Sequence, residues 1–252
     1  MEKRPIRVTI AHEASASCVP LVQEHTEFDF VISPYILKFP GYASAYLRDP
    51  KRVIMLDNGL FELLYPLDAT TVLGIADRLQ ATTVIPPDVL WNFEQTKKEF
   101  GTFQEKAGGR YKLAPVVVGQ TLKEMAECYA WYVAQGVDTI CWSFLTNREE
   151  AMRLVKDWCP SIKTHFLGFS TCSELRSVLE ILRADCSIDT GKPVAAAYNN
   201  LLLDDIGRGA YKRPDIASSI PVSNLVEINM KIFRGWVEET ARGIEVETGW
   251  ED

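Results

Sequence analysis

Eight short apolar runs, amphipathic stretches between them and a length of 252 residues together predict an α/β fold, read as a single-domain (β/α)8 TIM-type barrel spanning residues 1–252. The runs are 7–12 (RVTIAH), 29–34 (DFVISP), 53–57 (VIMLD) and 82–88 (TTVIPPD), then 112–119 (KLAPVVVG), 139–145 (TICWSFL), 164–170 (THFLGFS) and 186–190 (CSIDT). Apolar runs of this size bounded by turn formers suit strands buried on both faces. A barrel of this kind needs about 250 residues, and a chain that long buries roughly 70–75% of its unfolded surface. A doubly wound sheet would use the same elements, because strand order is not readable from the pattern.

Helical periodicity fills the gaps in order: 68–80, 92–107, 121–135, 147–158 and 173–184. In 121–135, Leu122, Met125, Cys128, Tyr129 and Tyr132 recur at helical spacing and Gly136 supplies the stop. Three stretches depart from the alternation. Residues 35–50 (YILKFPGYASAYLRDP) are aromatic and read as a lid or wall of a site. Residues 191–215 read as a basic insertion: from Lys192 to Arg213 it carries Lys192, Arg208, Lys212 and Arg213 against Asp204 and Asp205. Residues 222–241 read as a closing amphipathic helix.

Composition excludes several classes. With 47% hydrophobic and 24% charged residues, 15 Gly and 13 Pro, the chain is neither disordered nor collagenous. The net charge of −7 argues against a nonspecific nucleic-acid coat but leaves room for a local basic patch. The six cysteines and three histidines are dispersed, with no compact ligand spacing, so no metal site and no cofactor is expected. No apolar run reaches the roughly 18–20 residues of a membrane span. The N-terminus turns polar within six positions, unlike a signal peptide, so the expected location is the cytoplasm.

In a barrel, chemistry sits at the C-terminal ends of the strands. That rule selects Asp57, Asp88, Gln120, Ser143, Gly168, Ser170 and Asp189. Three of these seven are aspartates with no histidine or cysteine beside them, which suits chemistry at a developing positive charge, such as cleavage of a glycosidic bond. Each has a plainer alternative. Asp57-Asn58-Gly59 is good turn chemistry, and Asp88 and Gln120 precede helices. Asp189-Thr190-Gly191-Lys192 reads equally as a capped turn whose lysine holds a phosphate. Ser170 and Thr171 read first as helix caps, and His165 as a core histidine.

Asp57-Asn58-Gly59-Leu60-Phe61-Glu62 resembles the Asp-Ser-Gly-Gly-Phe-Gln segment of the tRNA-guanine transglycosylases. Val116-Val117-Val118-Gly119-Gln120 resembles their strand-end glutamine segment, and HFLGFSTCSELRSVLEILRADCSIDTGKP resembles their last strand–helix–strand unit. The likeness is greater to the DpdA branch, DNA transglycosylases that insert 7-deazaguanines. It implies Asp189 as the nucleophile at C1′, with Asp185 as the competing candidate, and Asp57 as the acid/base. It further implies Asp88 and Gln120 as readers of the guanine edge, with Asn58, Gly59, Phe61, Ser143 and Gly168 around the base. The partners implied are DNA and a free 7-deazaguanine base such as 7-cyano-7-deazaguanine, with no membrane and no cofactor.

The sequence lacks the Cys-x-Cys-x-x-Cys…His zinc subdomain of the tRNA enzymes, which favours DNA over tRNA as substrate. Their arginine run after the nucleophile is also missing. Grip on DNA would then rest on Lys192, Arg208, Lys212 and Arg213, or on a second copy or another protein. Two rival readings remain: a barrel acting on a small phosphorylated metabolite, and a noncatalytic nucleic-acid-binding subunit.

Overall fold

Strong local stop and start signals separate each strand from the helix that follows it, and the resulting alternation is that of an α/β protein. The protein is described by a computed structural model covering residues 2–47, 51–158, 162–169, 171–206 and 224–248. The chain opens with β1 (Glu2–Pro5), β2 (Val8–His12), α1 (Val19–Gln23), β3 (Asp29–Ile32), α2 (Ser33–Lys38) and α3 (Pro40–Tyr46). Next come β4 (Ile54–Asp57), α4 (Leu60–Leu63), α5 (Ala69–Leu79), β5 (Thr83–Val84), α6 (Phe93–Ala107) and β6 (Lys112–Leu113). Then follow α7 (Leu122–Ala134), β7 (Thr139–Ser143), α8 (Arg148–Val155), β8 (Lys163–Leu167), α9 (Cys172–Leu182) and β9 (Cys186–Thr190). The last described elements are α10 (Lys192–Tyr198), α11 (Leu203–Ile206), α12 (Asn224–Ala241) and β10 (Glu245–Thr248).

Two four-stranded parallel sheets result, ordered β3-β4-β5-β6 and β2-β9-β8-β7. The first strand of the alternation therefore pairs with the last, Ala11 opposite Asp189 and His12 opposite Thr190. Hydrogen bonds link the sheets at both margins. Glu27 N–H donates to the Ile10 carbonyl at 3.3 Å, where the chain enters β3. At the other margin Cys141 N–H donates to Pro115 O at 2.8 Å and Val117 N–H to Cys141 O at 3.0 Å. A separate antiparallel pair, β1 with β10, joins the chain's two ends; the sequence pattern did not mark it because both strands are short and polar.

Caps explain where the helices begin. Asp68 accepts from Thr70 and Thr71 N–H at 3.0 and 3.1 Å, and Asn92 accepts from Gln95 N–H at 3.0 Å. Thr121 and Glu124 form a capping box on α7, and Thr171 caps α9. Apolar faces of these helices bury Val72, Phe100, Phe103, Tyr132, Val178 and Leu179 against the strands.

The structure revises several boundaries. The fourth run pairs only at Thr83–Val84 because Pro86 and Pro87 have no N–H to donate. Pro115 interrupts the fifth run in the same way, and pairing resumes as an isolated bridge from Val116 to Cys141. The aromatic stretch after the second run is not a wall of the cavity. It folds into α2 and α3, and Tyr42 and Tyr46 are buried in a core cluster with Val31 and Leu56. Arg208, Lys212, Arg213, Ser170 and Cys159 lie outside the described residues. Among the described residues, no helix is long and apolar enough to cross a membrane.

Candidate active site

One cavity collects the C-terminal ends of the parallel strands. It is lined by Glu13 after β2, Ile32 of β3, Asp57 of β4, Asp88 after β5, Val116 to Val118 after β6, Ser143 of β7, Leu167 and Gly168 at the end of β8, and Asp189 of β9. About 740 Å³ of non-atom space lies within it, part of it open to solvent. Five of its lining side chains are carboxylic acids (Glu13, Asp57, Glu62, Asp88, Asp189), and none of the described lining residues is Lys, Arg or His.

The turn after β4 sets three of these groups. Gly59 sits at φ +76, and an added Cβ would fall 2.1 Å from Pro34 Cδ, so only glycine fits. Asp57 Oδ2 accepts from Gly59 N–H at 2.9 Å, and Asn58 Oδ1 accepts from Leu60 N–H at 2.9 Å. Asn58 also donates through Nδ2 to Asp88 Oδ1 at 2.6 Å and to Pro86 O at 2.8 Å. The single turn α4 then carries Phe61 and Glu62 onto the wall. The Asp-Asn-Gly segment is thus both a turn and a source of site groups.

Burial and mutual repulsion raise the pKa of three of these acids, Asp57, Glu62 and Asp88. Burial, then the negative charges of Glu62, Asp189 and Asp88, push the Asp57 carboxyl well above the usual aspartate range. Burial raises Asp88 to about 7 despite the opposing Asn58 hydrogen bond. Burial likewise raises Glu62 to about 7, with Asp189 adding repulsion. Asp189 is 2% exposed. Its Oδ1 lies 3.2 Å from His165 Nε2 and accepts from Gly168 N–H at 3.2 Å, while Oδ2 lies 3.3 Å from the same nitrogen.

The walls are apolar and partly aromatic. Phe30 and the three valines form the interior, and Phe61, Trp91 and Phe144 form the rim, each 41–49% exposed. Phe61 and Phe144 meet edge to face at 5.3 Å. Gly168, at φ +64, lies so close under Phe144 that an added Cβ would fall 2.4 Å from its Cδ1. Trp91 is held at φ +55, a left-handed conformation unusual for a bulky residue and a form of strain found at functional sites.

Of the sequence-selected residues, Asp57, Asn58, Phe61, Asp88, Ser143, Gly168 and Asp189 line this cavity. Gln120, Gly59 and Lys192 do not. Gln120 is exposed: its N–H donates to Glu124 Oε2 at 2.7 Å, beside the capping box that Thr121 and Glu124 form, and its side chain lies outside the cavity. Lys192 opens α10, and burial lowers its pKa. Asp185 stands at the other end of β9, held by Arg4 through two hydrogen bonds of 2.8 Å. Asp88 does not cap α6; Asn92 does.

Sequence reasoning passed over Glu13, Glu62, Trp91 and Phe144, and its reading of His165 as a core histidine agrees with that residue's full burial. Glu13 directly follows the first apolar run, so the strand-end rule applied there would have found it. The contact of His165 with Asp189 carried no sequence signal, because both partners of His165 come from the neighbouring strand. Two missed residues act on the frame. Arg148, 2% exposed, donates to Glu174 Oε1 at 2.7 Å and to the Trp142 and Leu167 carbonyls at 3.0 and 2.9 Å, pinning the ends of β7 and β8 to α9. Burial keeps buried His12 neutral by lowering its pKa to about 4. No known protein-family profile matches the chain, and no curated protein sequence matches it.

Proposed function

We propose that the two sheets close into one (β/α)8 barrel and that the cavity at its mouth is the active site of a guanine-exchanging transglycosylase acting on DNA. The hydrogen bonds at both sheet margins and the pairing of β2 with β9 support closure. The observation that carries the reaction is the meeting of Asp57, Asp88 and Asp189 in one apolar, aromatic-rimmed cavity, two of them raised by burial and one held by hydrogen-bond donors. A planar purine presents polar edges and an apolar face, which such a lining matches. Guanine would offer its N1–H and exocyclic amine to Asp88, the donor pattern that distinguishes it from adenine.

In the first half-reaction an Asp189 oxygen forms a bond to C1′ as the C1′–N9 bond breaks. The bonding pair leaves with the purine, which takes a proton from Asp57. In the second, a 7-deazaguanine gives its N9 proton to the Asp57 carboxylate and N9 attacks C1′. The Asp189 carboxylate is released, so one base has replaced another. The target nucleotide must leave its stack to enter the cavity. A phosphorylated metabolite fits less well, since five carboxylic acids and no described cation line the cavity.

The test is base exchange into a guanine-containing DNA oligonucleotide, using 7-cyano-7-deazaguanine as the incoming base. With that base withheld, the wild type should yield a covalent DNA–protein adduct on a denaturing gel. Asp189→Ala should yield neither adduct nor exchange while remaining folded. Full exchange by Asp189→Ala would overturn the assignment.

A further inference from the structure

Beneath the cavity, Asp189 is linked to two polar groups that the reaction above does not use, His165 and Ser187. His165 is fully buried on β8, directly opposite Ser187 in the register with β9. Its Nδ1 lies 2.8 Å from Ser187 Oγ and its Nε2 lies 3.2 Å from Asp189 Oδ1. Ser187 and Asp189, two residues apart on one strand, project to the same face, so one imidazole reaches both. The ring cannot turn away. It stacks on Phe30 at 5.6 Å and meets Phe28 edge-on at 5.9 Å.

The donor pattern follows from chemistry. A nucleophilic Asp189 is a carboxylate and only accepts, so on that reading Nε2 carries the proton. In the neutral ring Nδ1 is then an acceptor, and the Ser187 hydroxyl donates to it. Gly168 N–H is shared by the two oxygens of Asp189 at 3.2 and 3.3 Å, so the His165 contact, made to Oδ1 alone, is what distinguishes them. An oxygen with two donors has fewer lone pairs to give.

We infer that His165, its tautomer fixed by Ser187, is a positioning residue that anchors Oδ1 of Asp189 and leaves Oδ2 as the oxygen that attacks the sugar. The inference rests on Asp189 being the nucleophile. His165 touches no substrate and transfers no proton. It holds the carboxylate at one angle, which matters because small misplacements of a reacting atom cost large factors in rate.

Single-turnover adduct formation on the DNA oligonucleotide tests this with His165→Leu, His165→Gln and Ser187→Ala. The glutamine amide can still donate to Asp189; leucine cannot. His165→Leu should slow adduct formation about 100-fold with half-saturating DNA within about twofold of wild type. His165→Gln should recover at least about tenfold of that loss, and Ser187→Ala should fall between wild type and His165→Leu. Leucine and glutamine variants that are equally slow, or a leucine variant as fast as wild type, would overturn the inference. Nitrogen-15 NMR of the imidazole gives a readout independent of turnover. The wild-type ring should be the Nε2–H tautomer, with its proton resonance shifted in Asp189→Ala. An Nδ1–H tautomer would overturn the inference even in an active enzyme. Absence of any base exchange by wild type, with the Nε2–H resonance in place, would instead overturn the transglycosylase reading.

Discussion

Asp88 links the site's chemistry to stability. The residue is 4% exposed, and burial raises its carboxyl to about 7, against an ordinary value of 3.8. Near pH 4 the proton is bound in both folded and unfolded chains. As pH rises towards 7 the unfolded chain gives up its proton first, so the folded state binds more protons and loses stability. Above about 7 the penalty is complete. Asp88→Asn keeps an acceptor for Asn58 and removes the titration. The variant's unfolding free energy should therefore gain about 2–4 kcal/mol on wild type between pH 4.5 and pH 8, read from urea unfolding at each pH. Parallel stability curves would show that Asp88 titrates normally. The difference between the two proteins isolates Asp88 from His12, whose lowered pKa acts in the opposite sense as pH falls.

At the scale of elements, the corner from β8 into α9 is the most tightly specified part of the site. Gly168 is left-handed there, its N–H donates to Asp189, and Phe144 from the chain after β7 closes over it. Gly168→Ala strains the backbone by about 1–2 kcal/mol and displaces the Phe144 ring. Its base-exchange rate should fall at least about tenfold, with a thermal midpoint lowered by a few degrees. Arg148 braces the same corner, and Arg148→Leu leaves Glu174 half-buried without its partner. That variant should lose about 3 kcal/mol in urea unfolding, more than a surface ion pair would cost. These elements show what a sequence can and cannot tell. The β9 aspartate was legible because CSIDT is a short run with an acid next to its C-terminal end. Gly168 was legible as a strand-end glycine. Arg148 was not, because its role depends on carbonyls from Trp142 and Leu167 that only the β7–β8 pairing brings together. Gln120 misled for a local reason: it stands beside the capping box that makes α7 so readable, with its side chain exposed outside the cavity.

At the scale of the whole molecule, the difficulty is charge. The chain carries 34 acidic against 27 basic residues, and the cavity itself gathers five carboxylic acids. DNA affinity grows with each phosphate neutralised, so an acidic protein must concentrate its cations away from the acids that do the chemistry. Along the sequence that concentration follows β9, where Lys192, Arg208, Lys212 and Arg213 occur within 22 residues of each other. The last three lie outside the described residues, so their part in binding rests on composition and on chain position after the proposed nucleophile. Replacing Arg208, Lys212 and Arg213 together with Gln should weaken DNA binding to a similar degree for all sequences. The slope of log affinity against log salt should fall by about 0.7–0.9 for each phosphate that is no longer neutralised. Preference for guanine as the departing base should be unchanged, because Asp88 is 30 residues from Asn58 in sequence yet bonded to it inside the cavity, remote in the chain from these cations. Fluorescence anisotropy with a labelled oligonucleotide at four or more salt concentrations measures the slope. Affinity and slope equal to wild type would exclude the stretch from DNA binding and move the search for the phosphate grip to a second copy or another protein.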